Sequence, residues 1–110
     1  MNKIIWAWTN KEGTLEQVQN QVGEGWHKII EDLVNALFLA GWSGRLTQVK
    51  EKFGGLRFYA EDIKFESDMD KLIDAAEELS FKTCEYCGKP GKPRKGGWIK
   101  TLCDDCVSSA

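Results

Sequence analysis

The stretch QVKEKFGGLRFY, Gln48 to Tyr59, decides how this chain is read, because the same residues suit a nucleic-acid grip, a phosphate cradle or a tight β-hairpin. A phosphate loop needs G-x4-G-K-[ST], and nothing in the chain matches it. An RNA-recognition strand runs K/R-G-F/Y-G/A-F-V-x-F/Y, whereas Lys52-Phe53-Gly54-Gly55-Leu56-Arg57-Phe58-Tyr59 places its glycines elsewhere. The hairpin remains. With Gly54 and Gly55 as turn residues at positive φ, Phe53 faces Leu56, Glu51 faces Phe58 and Val49 faces Ala60 on an inner side. Lys52 then faces Arg57, and Lys50 faces Tyr59, on a basic outer side. Glu51 among aromatics must find a lysine or a backbone donor, or else shift its pKa upward. Two like charges directly opposite each other require an anionic neighbour, supplied by the acidic segment 70–78 or by a partner molecule.

Helix signals flank the hairpin. In GWHKIIEDLVNALFLAGW, Trp26, Ile29, Ile30, Leu33, Val34 and Leu37 recur every three or four residues, one apolar stripe that Gly41 ends. Before it, Thr14 and Gln17 form a capping box for a short helix that breaks at Gly23 and Gly25. After the hairpin, Ser67 caps a helix whose Asp68 and Asp70 suit the positive helix start, with Met69, Leu72, Ile73, Ala76 and Leu79 turned to the core.

All four cysteines lie in the tail, as CEYC and CDDC: Cys84, Cys87, Cys103 and Cys106, spaced C-x2-C-x15-C-x2-C. Thiols in a reducing compartment are rarely structural disulfides, and two-residue gaps let each pair wrap a tetrahedral ion at about 2.3 Å. The expectation is one structural Zn2+, because four thiolates leave no open position for catalysis. Gly88 supplies the positive φ of a metal knuckle. Asp104 and Asp105 are expected to stay out of the metal shell, and His27, without a catalytic partner, is expected at the surface or in packing. The loop between the knuckles is too rich in proline and glycine for a helix, and WIKTLC reads as a strand returning to the second pair. The whole outlines a treble-clef-like zinc ribbon lacking the long closing helix.

Composition bounds the function. The 110 residues are 42% hydrophobic and 29% charged, which fits an ordered domain. No apolar run approaches the roughly 20 residues that span a bilayer, and MNKIIWAWTNK lacks a signal-peptide centre, so no membrane partner and a cytoplasmic location are expected. The net charge of −2 hides nine Lys/Arg against fourteen Asp/Glu in residues 1–81 and six against three in 82–110. Four metal-bound thiolates would bring the tail close to neutrality, which weakens a phosphate-binding reading.

The segments GEGWHKIIEDL, QVKEKFGGLRFY, AEELS and CEYCGKPG…WIKTLCDDC together resemble a family of small bacteriophage and prophage proteins that share KEKFGGLRFY ahead of a paired-cysteine tail. The resemblance covers residues 23–106 and implies a phage-associated setting in a host bacterial cytoplasm; it brings no activity with it. Trp6 and Trp8 lie outside it.

The expected fold is α+β: helices packed on a small antiparallel hairpin sheet over 1–81, with a four-cysteine zinc ribbon over 82–110. No catalytic constellation accompanies it, so the expected function is non-enzymatic binding to a host protein or protein–nucleic acid complex, with inhibition of host defence as the candidate purpose. The alternative is a nucleic-acid-binding regulator. Lys50, Lys52, Arg57 and Tyr59 of the hairpin, with Arg94, Lys95 and Trp98 of the ribbon loop, form the expected partner surface, since Arg, Tyr and Trp dominate interface hot spots.

Overall fold

The structure is a computed structural model that describes residues 2–108. It is α+β, with a four-stranded sheet, helices against it and a small two-stranded ribbon at the C-terminal end. Among the described residues no helix is long and apolar enough to cross a membrane.

The hairpin pairs β3 (Arg45–Lys52) with β4 (Gly55–Ala60). Its register differs by one residue from the sequence expectation. Lys52 faces Gly55, Glu51 faces Leu56, Lys50 faces Arg57 and Val49 faces Phe58, so the turn residues are Phe53 and Gly54 rather than Gly54 and Gly55. Both turn residues take positive φ, +53° and +85°. Gly55 is a strand residue needed for space, because a Cβ there would lie 2.2 Å from the Phe81 ring. Lys52 therefore does not face Arg57; the facing cations are Lys50 and Arg57.

Two short strands of the main sheet escaped the sequence reading. β1 (Ile4–Trp6) runs parallel to β3, and β2 (Lys11–Gly13) pairs antiparallel with β1, giving the order β2-β1-β3-β4. Three residues are too few to display an alternating pattern. Burying Ile4 puts β1 into the core nonetheless.

The helices follow their stripes. α1 (Leu15–Gln19) starts with the Thr14/Gln17 capping box, and α2 (His27–Leu39) buries Ile29, Ile30, Leu33, Val34 and Leu37. A Schellman motif ends α2: the Gly41 N–H reaches Phe38 O at 3.1 Å and the Trp42 N–H reaches Leu37 O at 3.0 Å, with Gly41 at φ +99°. These side chains meet Leu46 and Val49 of β3 and Leu56 and Phe58 of β4 in one core.

α3 (Asp68–Ser80), capped by Ser67, buries Ile73 and Ala76, but Leu79 is half exposed, contrary to its place in the expected stripe. Ser80 takes that position instead. Its hydroxyl accepts the outward N–H of Leu56 at 2.9 Å, and the Glu77 carboxylate accepts that of Phe58 at 3.0 Å. Burial raises the Glu77 carboxyl above its ordinary value, against the pull of the Phe58 N–H and the Arg57 guanidinium. Glu77 of the acidic helix thus sets a carboxylate within electrostatic reach of Arg57, one of the two facing cations, although Arg57 Nε itself has no hydrogen-bond partner among the described residues.

Candidate metal centre and the surface beside it

The metal centre grows from two local turns. After α3 the chain makes the first knuckle, where the Gly88 N–H closes on Cys84 O at 2.9 Å and Gly88 takes φ +83°. β5 (Lys92–Arg94) and β6 (Lys100–Leu102) form a hairpin that returns to the second pair. There Cys103 caps α4 (Asp104–Val107), its sulfur accepting the Cys106 N–H at 3.4 Å. α4 is one turn long, so the closing helix of a full treble clef is absent among the described residues.

These turns bring Cys84, Cys87, Cys103 and Cys106 together, with all four sulfurs within 4.8 Å of one another, an arrangement that can hold a metal ion. The donor chemistry fits a cation. Burial pushes the Cys84 thiol up, but backbone N–H groups of Cys103, Cys87 and Tyr86 outweigh it and bring the thiol down to about 6. Hydrogen bonding to Cys103, with its burial, pushes Cys106 up to about 12. So crowded a set carries four thiolates only with a positive charge among them. Asp104 and Asp105 stand outside: Asp104 pairs with Arg94 at 2.7 Å and Asp105 with Lys89 at 3.4 Å.

The centre is fastened to the core by buried polar contacts. The Trp26 indole N–H donates to Thr83 O at 2.8 Å, the Gly25 N–H to Glu85 O at 2.7 Å, and the Thr101 hydroxyl to Gly54 O at 2.6 Å. Lys100 lies between two carboxylates, 3.2 Å from Glu85 and 3.5 Å from Glu51, while Glu51 also accepts the Gly54 N–H at 2.7 Å. This is the partner Glu51 needed, and it joins hairpin to ribbon. Burial works to lower Lys100, yet Glu85 and Glu51 hold it above its ordinary 10.5. A lysine raised in the fold contributes stability at every pH below 10.5, lost as pH rises through its folded value. Lys100→Met is expected to destabilise the protein at pH 7 by about 2–4 kcal/mol, because it leaves the buried Glu85 carboxylate without its cation and, among the described residues, with only the Gly23 N–H, at 3.2 Å, to bond it. Urea unfolding measures it, and a midpoint equal to wild type would refute the coupling.

The expected partner residues divide. Lys52 and Trp98 meet: a cavity of about 370 Å³ opens between the hairpin tip and the ribbon loop, lined by Lys52, Phe53, Trp98 and Ile99 above Glu51. Lys50, Arg57 and Tyr59 lie along β3 and β4 outside that cavity. Arg94 is turned away, donating to Leu102 O at 3.1 Å and to Asp104. Lys95 stays exposed in the loop. Phe53 was missed, since its sequence position suggested an inward strand residue. It is 67% exposed, with the Lys52 ammonium 5.6 Å from its ring centre, and Trp98 is 76% exposed. His27 makes no contact with the centre; its Nε2 lies 3.3 Å from Val22 O. Compared with protein-family models, with curated proteins and with solved structures, the chain finds no match in any of the three.

Proposed function

We propose that this chain is a non-enzymatic, zinc-stabilised binding protein of phage or prophage origin that occupies a host macromolecular complex, with inhibition of a host defence system as its role. Zinc suits a closed set of four thiolates, and such a set leaves no coordination position for a reacting water. The phage setting rests on the resemblance of residues 23–106.

The observation that carries a binding role is Phe53. A bulky side chain at φ +53° is strained, at a turn position where Asn or Gly is favoured, and its ring lies in solvent. Neither backbone nor core benefits from Phe53. Facing Trp98 across a cavity, it has the form of an aromatic anchor for another molecule.

Phe53→Asn is therefore expected to stabilise the fold by about 1 kcal/mol while weakening partner capture. Wild type, Phe53→Asn and Trp98→Ala are used as bait against a host lysate at matched zinc content. A protein retained by wild type and lost from both variants, at unchanged or raised Tm, supports the reading. Equal capture by all three sinks it.

A second reading, direct nucleic-acid binding, is favoured by the adjacent Lys50 and Arg57 and the exposed Lys52 and Lys95. It predicts that log affinity falls linearly with log salt. Three of the ribbon cations, Lys89, Arg94 and Lys100, are already paired with carboxylates, which favours the protein partner.

A further inference from the structure

A second and larger concavity, of about 850 Å³, shares no lining residue with the cavity under Phe53 and Trp98. It lies across β2, β1 and β3 beside α1, and the two tryptophans outside the family resemblance form its apolar surface. Trp6 is held in place. Its ring lies over Gly13, where a Cβ would come 2.5 Å from the indole nitrogen. Its N–H points to Gln17 Oε1 at 3.5 Å, an oxygen already fixed by the Thr14 N–H at 3.1 Å in the capping box. Trp8 stands 6.5 Å away at 47° and is 71% exposed, so the two rings make a bent platform.

The remaining lining is nearly neutral and rich in hydrogen-bonding groups. Lys11 and Glu12 offset each other, and Glu12 already pairs with Lys3 at 3.4 Å. Among the described residues the Trp8 indole N–H, the Thr47 hydroxyl and both ends of the Gln48 amide have no protein partner, whereas Gln21 uses its amino group on Gln17 O and keeps its carbonyl oxygen spare. Spare donors and spare acceptors therefore line the same aromatic floor.

The matching ligand is uncharged, has a flat patch of C–H groups for the rings, and carries groups that both donate and accept. Nucleic acid lacks the positive surface it needs here. A polyproline peptide offers carbonyl acceptors but no N–H donors, which leaves the Gln21 oxygen unmet. Pyranose rings have apolar C–H faces and hydroxyls of both kinds. We propose that this groove binds a neutral oligosaccharide, stacked on Trp6 and Trp8 with its hydroxyls on Gln48, Gln21 and Thr47. The volume lies within the roughly 300–1,000 Å³ of small-molecule sites.

The test is an NMR titration of the isotope-labelled, zinc-loaded 110-residue chain with maltotetraose, cellotetraose and N-acetylchitotetraose, each taken to about 10 mM. At least one sugar should move the indole N–H signals of Trp6 and Trp8 saturably and leave that of Trp98 in place. Trp8→Ala and Gln48→Ala, both at exposed positions, should each weaken binding by about tenfold or more while keeping the amide spectrum dispersed. No shift with any of the three sugars overturns the proposal, as does binding that survives both variants. Shifts produced by a proline decamer instead of the sugars would assign the groove to extended peptides and overturn it equally.

Discussion

Replacing Cys84 with Ser will strip the metal and loosen everything from residue 82 onward, while the helices and sheet of the core keep their circular dichroism. Cys84 is fully buried and central to the cluster, and a neutral hydroxyl cannot take the place of a thiolate held down to about 6. Binding free energies of about 10–16 kcal/mol at structural zinc sites are folding free energy for the residues they gather. The tail has little apolar burial of its own: its cluster is Cys84, Leu102 and Cys103, with Cys106 and Val107 packed beside them, so without metal only its polar ties to the core remain. Elemental analysis should find one zinc per wild-type chain and none in the variant, and chelation of the wild type should reproduce the loss. Freshly reduced wild type that is free of metal, with an ordered tail, would refute the assignment.

Gly25→Ala is expected to cost about 3–5 kcal/mol, more than any surface change in the molecule. A Cβ at Gly25 would lie 1.9 Å from Cys84 O, 2.6 Å from Gly88 N and 2.7 Å from Glu85 C. All three are backbone atoms of the first knuckle, so no side chain can rotate away. The chain must instead lift the knuckle from the start of α2, breaking the Gly25 to Glu85 and Trp26 to Thr83 hydrogen bonds. Denaturant unfolding followed through tryptophan fluorescence, with zinc content measured in parallel, checks both consequences. A wild-type midpoint would mean that the metal knuckle does not rest on this turn.

What the sequence displayed, it displayed through periodicity and spacing. The stripe from Trp26 to Leu37 is buried throughout, the Thr14/Gln17 box forms, and two C-x-x-C pairs meet as their spacing implies. The hairpin was legible as a hairpin but not in its register, because two adjacent glycines have different duties. Gly54 supplies the turn's positive φ, whereas Gly55 makes room for Phe81, a residue far along the chain that no local pattern ties to it. Leu79 yielded its place on α3 because the neighbouring strand needed a hydrogen-bond acceptor more than another methyl group. The Lys100 bridge joins three charges from distant segments, and only the folded chain shows that they meet.

The closure of β4 by α3 bears on how this protein keeps to itself. An open border of a sheet is a template on which another chain can lay a strand, and β4 has the apolar, β-prone sequence that invites such growth. Ser80 and Glu77 occupy its outward amides, so a second molecule finds no free donors at Leu56 or Phe58. The opposite border is β2, only three residues long and carrying Lys11 and Glu12. Strand-by-strand self-association is thus obstructed on one side by a helix and discouraged on the other by brevity and charge, leaving the aromatic tip free for a different molecule.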